Sequence, residues 1–149
     1  DIGKIVLSAM YPDHYNRVVA HAIKENCRIL LAEQYLMNTD HSMVGKLVCD
    51  LWNLPEDISD AVLYHHDPST DSLKDPLLVR LIHLSDVFAR TMKIGNPGDP
   101  IIPEINPDAL PLLGSSEEMI RENTQIVLDE LDLARSDINT FFSDISKPS

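Results

Sequence analysis

The chain has 149 residues, 44% of them apolar and 24% charged, an ordinary globular composition that excludes intrinsic disorder and fibrous classes. Twenty-four acids against twelve bases give a formal charge of −12, the wrong sign for tracking phosphate backbones or anionic lipids, so neither nucleic acid nor membrane is an expected partner. Apolar runs stay far below the roughly 20 residues of a bilayer span, and with no leader pattern at its start the chain reads as one soluble domain over residues 1–149.

The hydropathy pattern is helical almost throughout. Ile5, Val6 and Ala9 mark a first helix that stops before Pro12, a second runs from Pro12 to about Cys27, and a third from Ile29 to Met37. Thr39 or Asp40 can cap a fourth, which carries Val44, Leu47, Val48 and Leu51 and ends near Asn53. Pro55 suits the first turn of a fifth helix with Ile58, Ala61 and Val62 on its apolar face. After a polar break at 66–74, Asp75-Pro76 opens a long helix reaching Lys93-Ile94-Gly95. Pro97, Gly98, Pro100 and Pro103 make 95–106 a loop. Helices then fill 107–149: a short one from Asn106-Pro107, and a final one opened by a Ser115/Glu118 capping box. No stretch alternates with a period of two, so the fold class is all-α and packed helices must build any site. Cys27 and Cys49, 22 residues apart, form neither a zinc motif nor a disulfide framework and suit buried free thiols in a reducing cytoplasm.

Three helices aim a metal-competent side chain inward. His41 precedes Val44 and Val48 by three and seven residues, His65 follows Ile58 and Ala61 by seven and four, and Asp86 follows Val79 and Ile82 by seven and four. A buried carboxylate needs a partner, a shifted pKa or a metal. His66 adds an imidazole beside His65, and Asp1, at a helix start, can supply a bridging carboxylate. Imidazole and carboxylate together suit divalent manganese, iron, nickel or zinc. Taken singly, each residue has a plainer role: a core His bonded to a backbone carbonyl, a buried Asp paired with Arg, or a His at a helix end. His14 and His21 lack the spacing of a zinc-binding helix pair and suit solvent or packing roles. His83 reads as packing or as a donor behind a ligand, Trp52 as an anchor at a helix end, and the ten acids against three bases in 104–149 as a solvated face.

Asp1-Ile2-Gly3-Lys4, His41-Ser42-Met43-Val44-Gly45, Trp52-Asn53-Leu54-Pro55-Glu56, His65-His66-Asp67-Pro68 and Leu84-Ser85-Asp86 resemble, in order and spacing, the HDOD branch of the HD superfamily of metal-dependent phosphohydrolases. The resemblance implies an HD-like helical bundle, with the signature His directly before residue 1 and the chain forming the C-terminal part of a larger domain. It implies Asp1 as a bridging carboxylate, His41, His65 and His66 as ligands of one metal, Asp86 as a ligand of the other, and Lys4 facing a substrate phosphate. The related HD-GYP branch hydrolyses cyclic di-GMP, but no Gly-Tyr-Pro follows His65-His66 here.

Three readings result. The favoured one is a bacterial signalling module, regulatory or output in role, that contacts other signalling proteins and keeps a remnant metal site, with or without its ion. The second is a metal-dependent phosphohydrolase acting on a nucleotide or cyclic dinucleotide, with Asp1 and Lys4 in catalytic roles. The third is a structural bundle with ordinary core histidines. A homodimer is compatible with each, though no heptad pattern calls for one.

Overall fold

The computed structural model describes residues 1–70 and 72–145. It holds α1 (Ile2–Met10), α2 (Pro12–Lys24), α3 (Ile29–Met37), α4 (His41–Leu51), α5 (Glu56–Tyr64), α6 (Pro76–Thr91), a 3-10 helix (Pro107–Leu112) and α7 (Glu117–Ile145). The chain divides into two compact units, Asp1–Ala109 and Leu110–Ser149. Among the described residues there is no strand, in keeping with the all-α, HD-like bundle. None of the described helices is long and apolar enough to cross a membrane.

The predicted helix ends shift by a few residues for local reasons. α2 stops at Lys24 rather than Cys27 because Asn26 turns left-handed (φ 50°), and the Cys27 N–H closes back on Ala22 O. Asn38 and Asn53 end α3 and α4 in the same left-handed region, which Asn tolerates better than most side chains. Asp40 caps α4, its carboxylate accepting from Ser42 N and Met43 N. Pro55 sits just before α5 in extended backbone, not inside its first turn. α6 ends at Thr91, short of Gly95, where Lys93 turns left-handed.

In the first unit, Leu7 of α1, Tyr15, Val18 and Ala22 of α2, and Ile29 and Ala32 of α3 form the core. α1 also crosses α4, with Gly3 against Gly45. A Cβ on Gly3 would overlap the His41 carbonyl and stand 2.8 Å from Gly45 N, while one on Gly45 would stand 2.6 Å from Val62 Cγ1. Two glycines therefore let α1 and α4 touch backbone to backbone, which carries Asp1 up to His41.

The predicted 95–106 loop has no regular structure but is firmly anchored. Asp99 is buried, its Oδ2 accepting from Ile29 N (3.0 Å) and its Oδ1 from Ile101 N (2.9 Å). A loop carboxylate thus caps α3, whose own N-cap residue Arg28 offers no side-chain cap. Arg90 of α6, 8% exposed, donates through Nη1 to Asp99 and to Ile101 O, and through Nε to Asp86.

In the second unit Leu113 is buried, and Asn123 Nδ2 donates to its carbonyl. The predicted Ser115/Glu118 capping box does not form. Ser116 Oγ accepts from Met119 N (3.3 Å), one residue later than expected, while Ser115 Oγ faces Met119 Sδ. Cys27 and Cys49 are free thiols, and of the two only Cys49 is fully buried. Trp52 is 64% exposed rather than buried as an anchor at the helix end. His21 stacks on Tyr35, a packing role, while His14 lies exposed.

Candidate metal centre

Four side chains from three helix ends converge. Asp1 is the N-cap of α1, His41 the first residue of α4, His65 the C-cap of α5, and His66 follows it. One ligand atom from each lies within 4.8 Å of the others. Asp1 Oδ1 is 3.4 Å from His41 Nε2 and 3.7 Å from His65 Nε2, and His41 Nε2 is 2.8 Å from His66 Nε2. Nitrogen and oxygen ligands sit about 2.0–2.2 Å from a zinc-like ion, so the ligand atoms of a tetrahedral site lie roughly 3.3–3.6 Å apart. The 3.4 and 3.7 Å separations of Asp1 Oδ1 from the two imidazoles are near that spacing, while the 2.8 Å His41–His66 pair must open by about half an ångström to take an ion between them.

The protonation pattern fits a cation. His65 Nδ1 lies 2.9 Å from Val62 O, an acceptor only, so the ring carries its proton there and Nε2 keeps a lone pair. That Nε2 is buried and has no hydrogen-bond partner, an arrangement normally costly to maintain. Burial pushes His65 from its ordinary 6.5 down to about 4. It pushes His66 lower still, helped by the neighbouring His65 and His41. His41 is also lowered by burial, against the opposing pull of Glu33. Near neutral pH the group is three uncharged imidazoles and a carboxylate, the form in which these residues ligate divalent metals.

The same shift predicts acid instability of the metal-free protein. Below pH 6.5 the unfolded His65 binds a proton that the folded one refuses until about pH 4. Its contribution is therefore complete above pH 6.5 and is lost as pH falls towards 4, by about 3 kcal/mol for this group. Urea unfolding of metal-free protein across pH 7.5 to 4 should show the fall, and His65→Gln should flatten it; parallel profiles would contradict the assignment.

The remaining predicted residues are placed differently. His83 is buried, its Nδ1 2.8 Å from His65 O and its Nε2 accepting from Asn106 N at 3.0 Å. It holds the His65 backbone against the loop end, so the donor role describes it better than packing alone. Asp86 is not among the four grouped residues. Both its oxygens accept from Arg90 Nε, at 3.2 and 3.1 Å, the Asp–Arg pairing that inward spacing also permits. It does line, with Asp1, His65 and Ser85, a cleft of about 470 Å³ whose other walls are Ile58, Ala61, Val62, Leu78 and Ile82. Among the described residues, no Lys or Arg lines this cleft. Lys4 Nζ is held by Asp1 Oδ2 (3.1 Å) and Pro97 O (3.4 Å), and burial lowers its pKa.

Glu33, not singled out from the sequence, is the residue missed. It is completely buried and accepts from Tyr15 OH (2.8 Å), His41 N (2.9 Å) and His41 Nδ1 (2.6 Å). The signal was available: Glu33 follows Ile29 by four residues, on the inward face that also carries Ala32 and Leu36, as Asp86 follows Ile82.

An all-helical domain that gathers an Asp and three His from helix ends is of the His-Asp type that the sequence resembled. Residues 1–68 match the HDOD domain family. The matched segment contains Asp1, Lys4, His41, His65 and His66 and ends before Asp86. Comparisons with curated proteins and with solved structures gave no match.

Proposed function

We propose that this HDOD chain is a regulatory signalling module of the cytoplasm, working through contacts with other signalling proteins, that binds one divalent ion and does not hydrolyse phosphate esters. The observation that carries this reading is the pairing of Asp86 with Arg90, which engages the carboxylate that the HD resemblance assigns to a second ion. Two further features support it. Apart from Asp1, His65, Ser85 and Asp86, the walls of the cleft beside the four ligands are aliphatic, no Lys or Arg among the described residues lines it, and Lys4 is bonded to Asp1 and Pro97 instead. Asp1, His41, His65 and His66 would hold the ion, and manganese, iron, nickel and zinc all suit the donor set. When bound, the ion supplies positive charge that satisfies His65 Nε2 and ties α1, α4 and α5 together.

A phosphohydrolase is the second reading, favoured by one fact: Asp1, His65 and Asp86 share the cleft, so release of Asp86 from Arg90 would leave it free beside the group. Assays with manganese or iron on bis(p-nitrophenyl) phosphate and cyclic dinucleotides separate the two. Turnover no greater than that of His65→Ala is expected; turnover abolished by that substitution would establish the hydrolase.

A further inference from the structure

The buried Glu33 is used by none of the roles assigned so far. It has no exposed surface, and its bonds go to Tyr15 OH, to the His41 backbone and to the His41 ring. A carboxylate can only accept, so the 2.6 Å contact places a proton on His41 Nδ1, and in the neutral ring Nε2 is then a lone pair. That lone pair lies 3.4 Å from Asp1 Oδ1 and, in the metal-free protein, accepts from His66 Nε2 at 2.8 Å. Tyr15 OH holds the other Glu33 oxygen at 2.8 Å, so the carboxylate cannot turn away without losing a buried bond. The His41 backbone N–H donates to Oε2, the oxygen that also meets its ring, so ring and backbone at the start of α4 are held as one unit.

We infer that Glu33, braced by Tyr15, is a positioning residue that sets the His41 tautomer and supplies a buried negative charge behind the candidate ion site. The inference rests on the metal-binding reading above for its effect on affinity, though not for the tautomer itself. Carboxylates behind a ligating His orient the ring and raise its basicity, and their loss typically weakens metal binding by about 10–100-fold. Among the described residues, the hydrogen bonds to Glu33 come from a phenol, an amide and an imidazole.

The test has two arms. Long-range proton–nitrogen NMR of the metal-free wild-type protein at neutral pH should show His41 protonated at Nδ1 and bare at Nε2. A proton on Nε2, alone or with one on Nδ1, would overturn the inference without touching the metal reading. In the second arm, calorimetric titration with zinc or manganese should show Glu33→Gln binding about 10–100-fold more weakly than wild type. Tyr15→Phe, which keeps the carboxylate and is the fallback if Glu33→Gln does not fold, should show a smaller loss in the same direction. Unchanged affinity in a folded Glu33→Gln, or in Tyr15→Phe if that alone folds, overturns the role. A wild-type protein that binds neither ion refutes the metal reading instead, and the NMR arm then still decides the tautomer.

Discussion

Replacing Gly3 with alanine is expected to destabilise the first unit by about 3 kcal/mol or more, because the new methyl meets backbone rather than a flexible side chain. The added Cβ would overlap the His41 carbonyl and press on Gly45 N, so α1 must move off α4. For a chain of this size the melting temperature should fall by roughly 6–12 °C. The same displacement withdraws Asp1 from His41, so metal affinity should fall with stability. Gly45→Ala meets Val62 Cγ1, a side-chain atom with some room to rotate, and should cost less. A Gly3→Ala protein with unchanged melting and metal affinity would show that the α1–α4 contact is not the one described.

The second large effect is expected at Arg90. Its guanidinium is almost fully buried and bonds Asp86, Asp99 and Ile101 O, while the Asp99 side chain is wholly enclosed. Arg90→Leu leaves Asp99 charged, buried and without its cation, a situation that typically costs about 3–5 kcal/mol. The urea midpoint should drop accordingly, and the 95–106 loop should become sensitive to limited proteolysis. Asp99→Asn should be milder, because the amide oxygen can still accept from Ile29 N and cap α3. Equal stability of wild type and Arg90→Leu would mean that the network contributes nothing net.

Much of the bundle is legible in the sequence because each helix carries its own local signals. Asp75 reads correctly as a cap, Asp40 rather than its alternative Thr39 caps α4, and the Pro and Gly cluster at 95–106 rules out a helix. Of the apolar face expected for α4, however, Val48 is buried but Leu47 and Leu51 are exposed. The inward register of His41 and His65 is likewise a property of one helix at a time, and both are buried. What fails is what depends on a partner far along the chain. Asp86 is only partly buried and Ile82 of its predicted stripe is exposed, and whether Asp86 would meet an ion or Arg90 could not be decided from α6 alone. The capping of α3 by Asp99 spans 70 residues and has no local signature. Glu33 was overlooked because a Glu on a helix usually faces solvent, although its spacing from Ile29 placed it inside. The glycines at the α1–α4 crossing belong to motifs that signalled kinship, and only the packing explains why a side chain cannot stand there.

The most direct test is ion stoichiometry. Equilibrium dialysis of the chain against zinc or manganese, followed by elemental analysis, should give one ion per chain for wild type and for Asp86→Asn, and none for His65→Ala. Two ions per chain, or loss of the bound ion in Asp86→Asn, would contradict a single site made by Asp1, His41, His65 and His66.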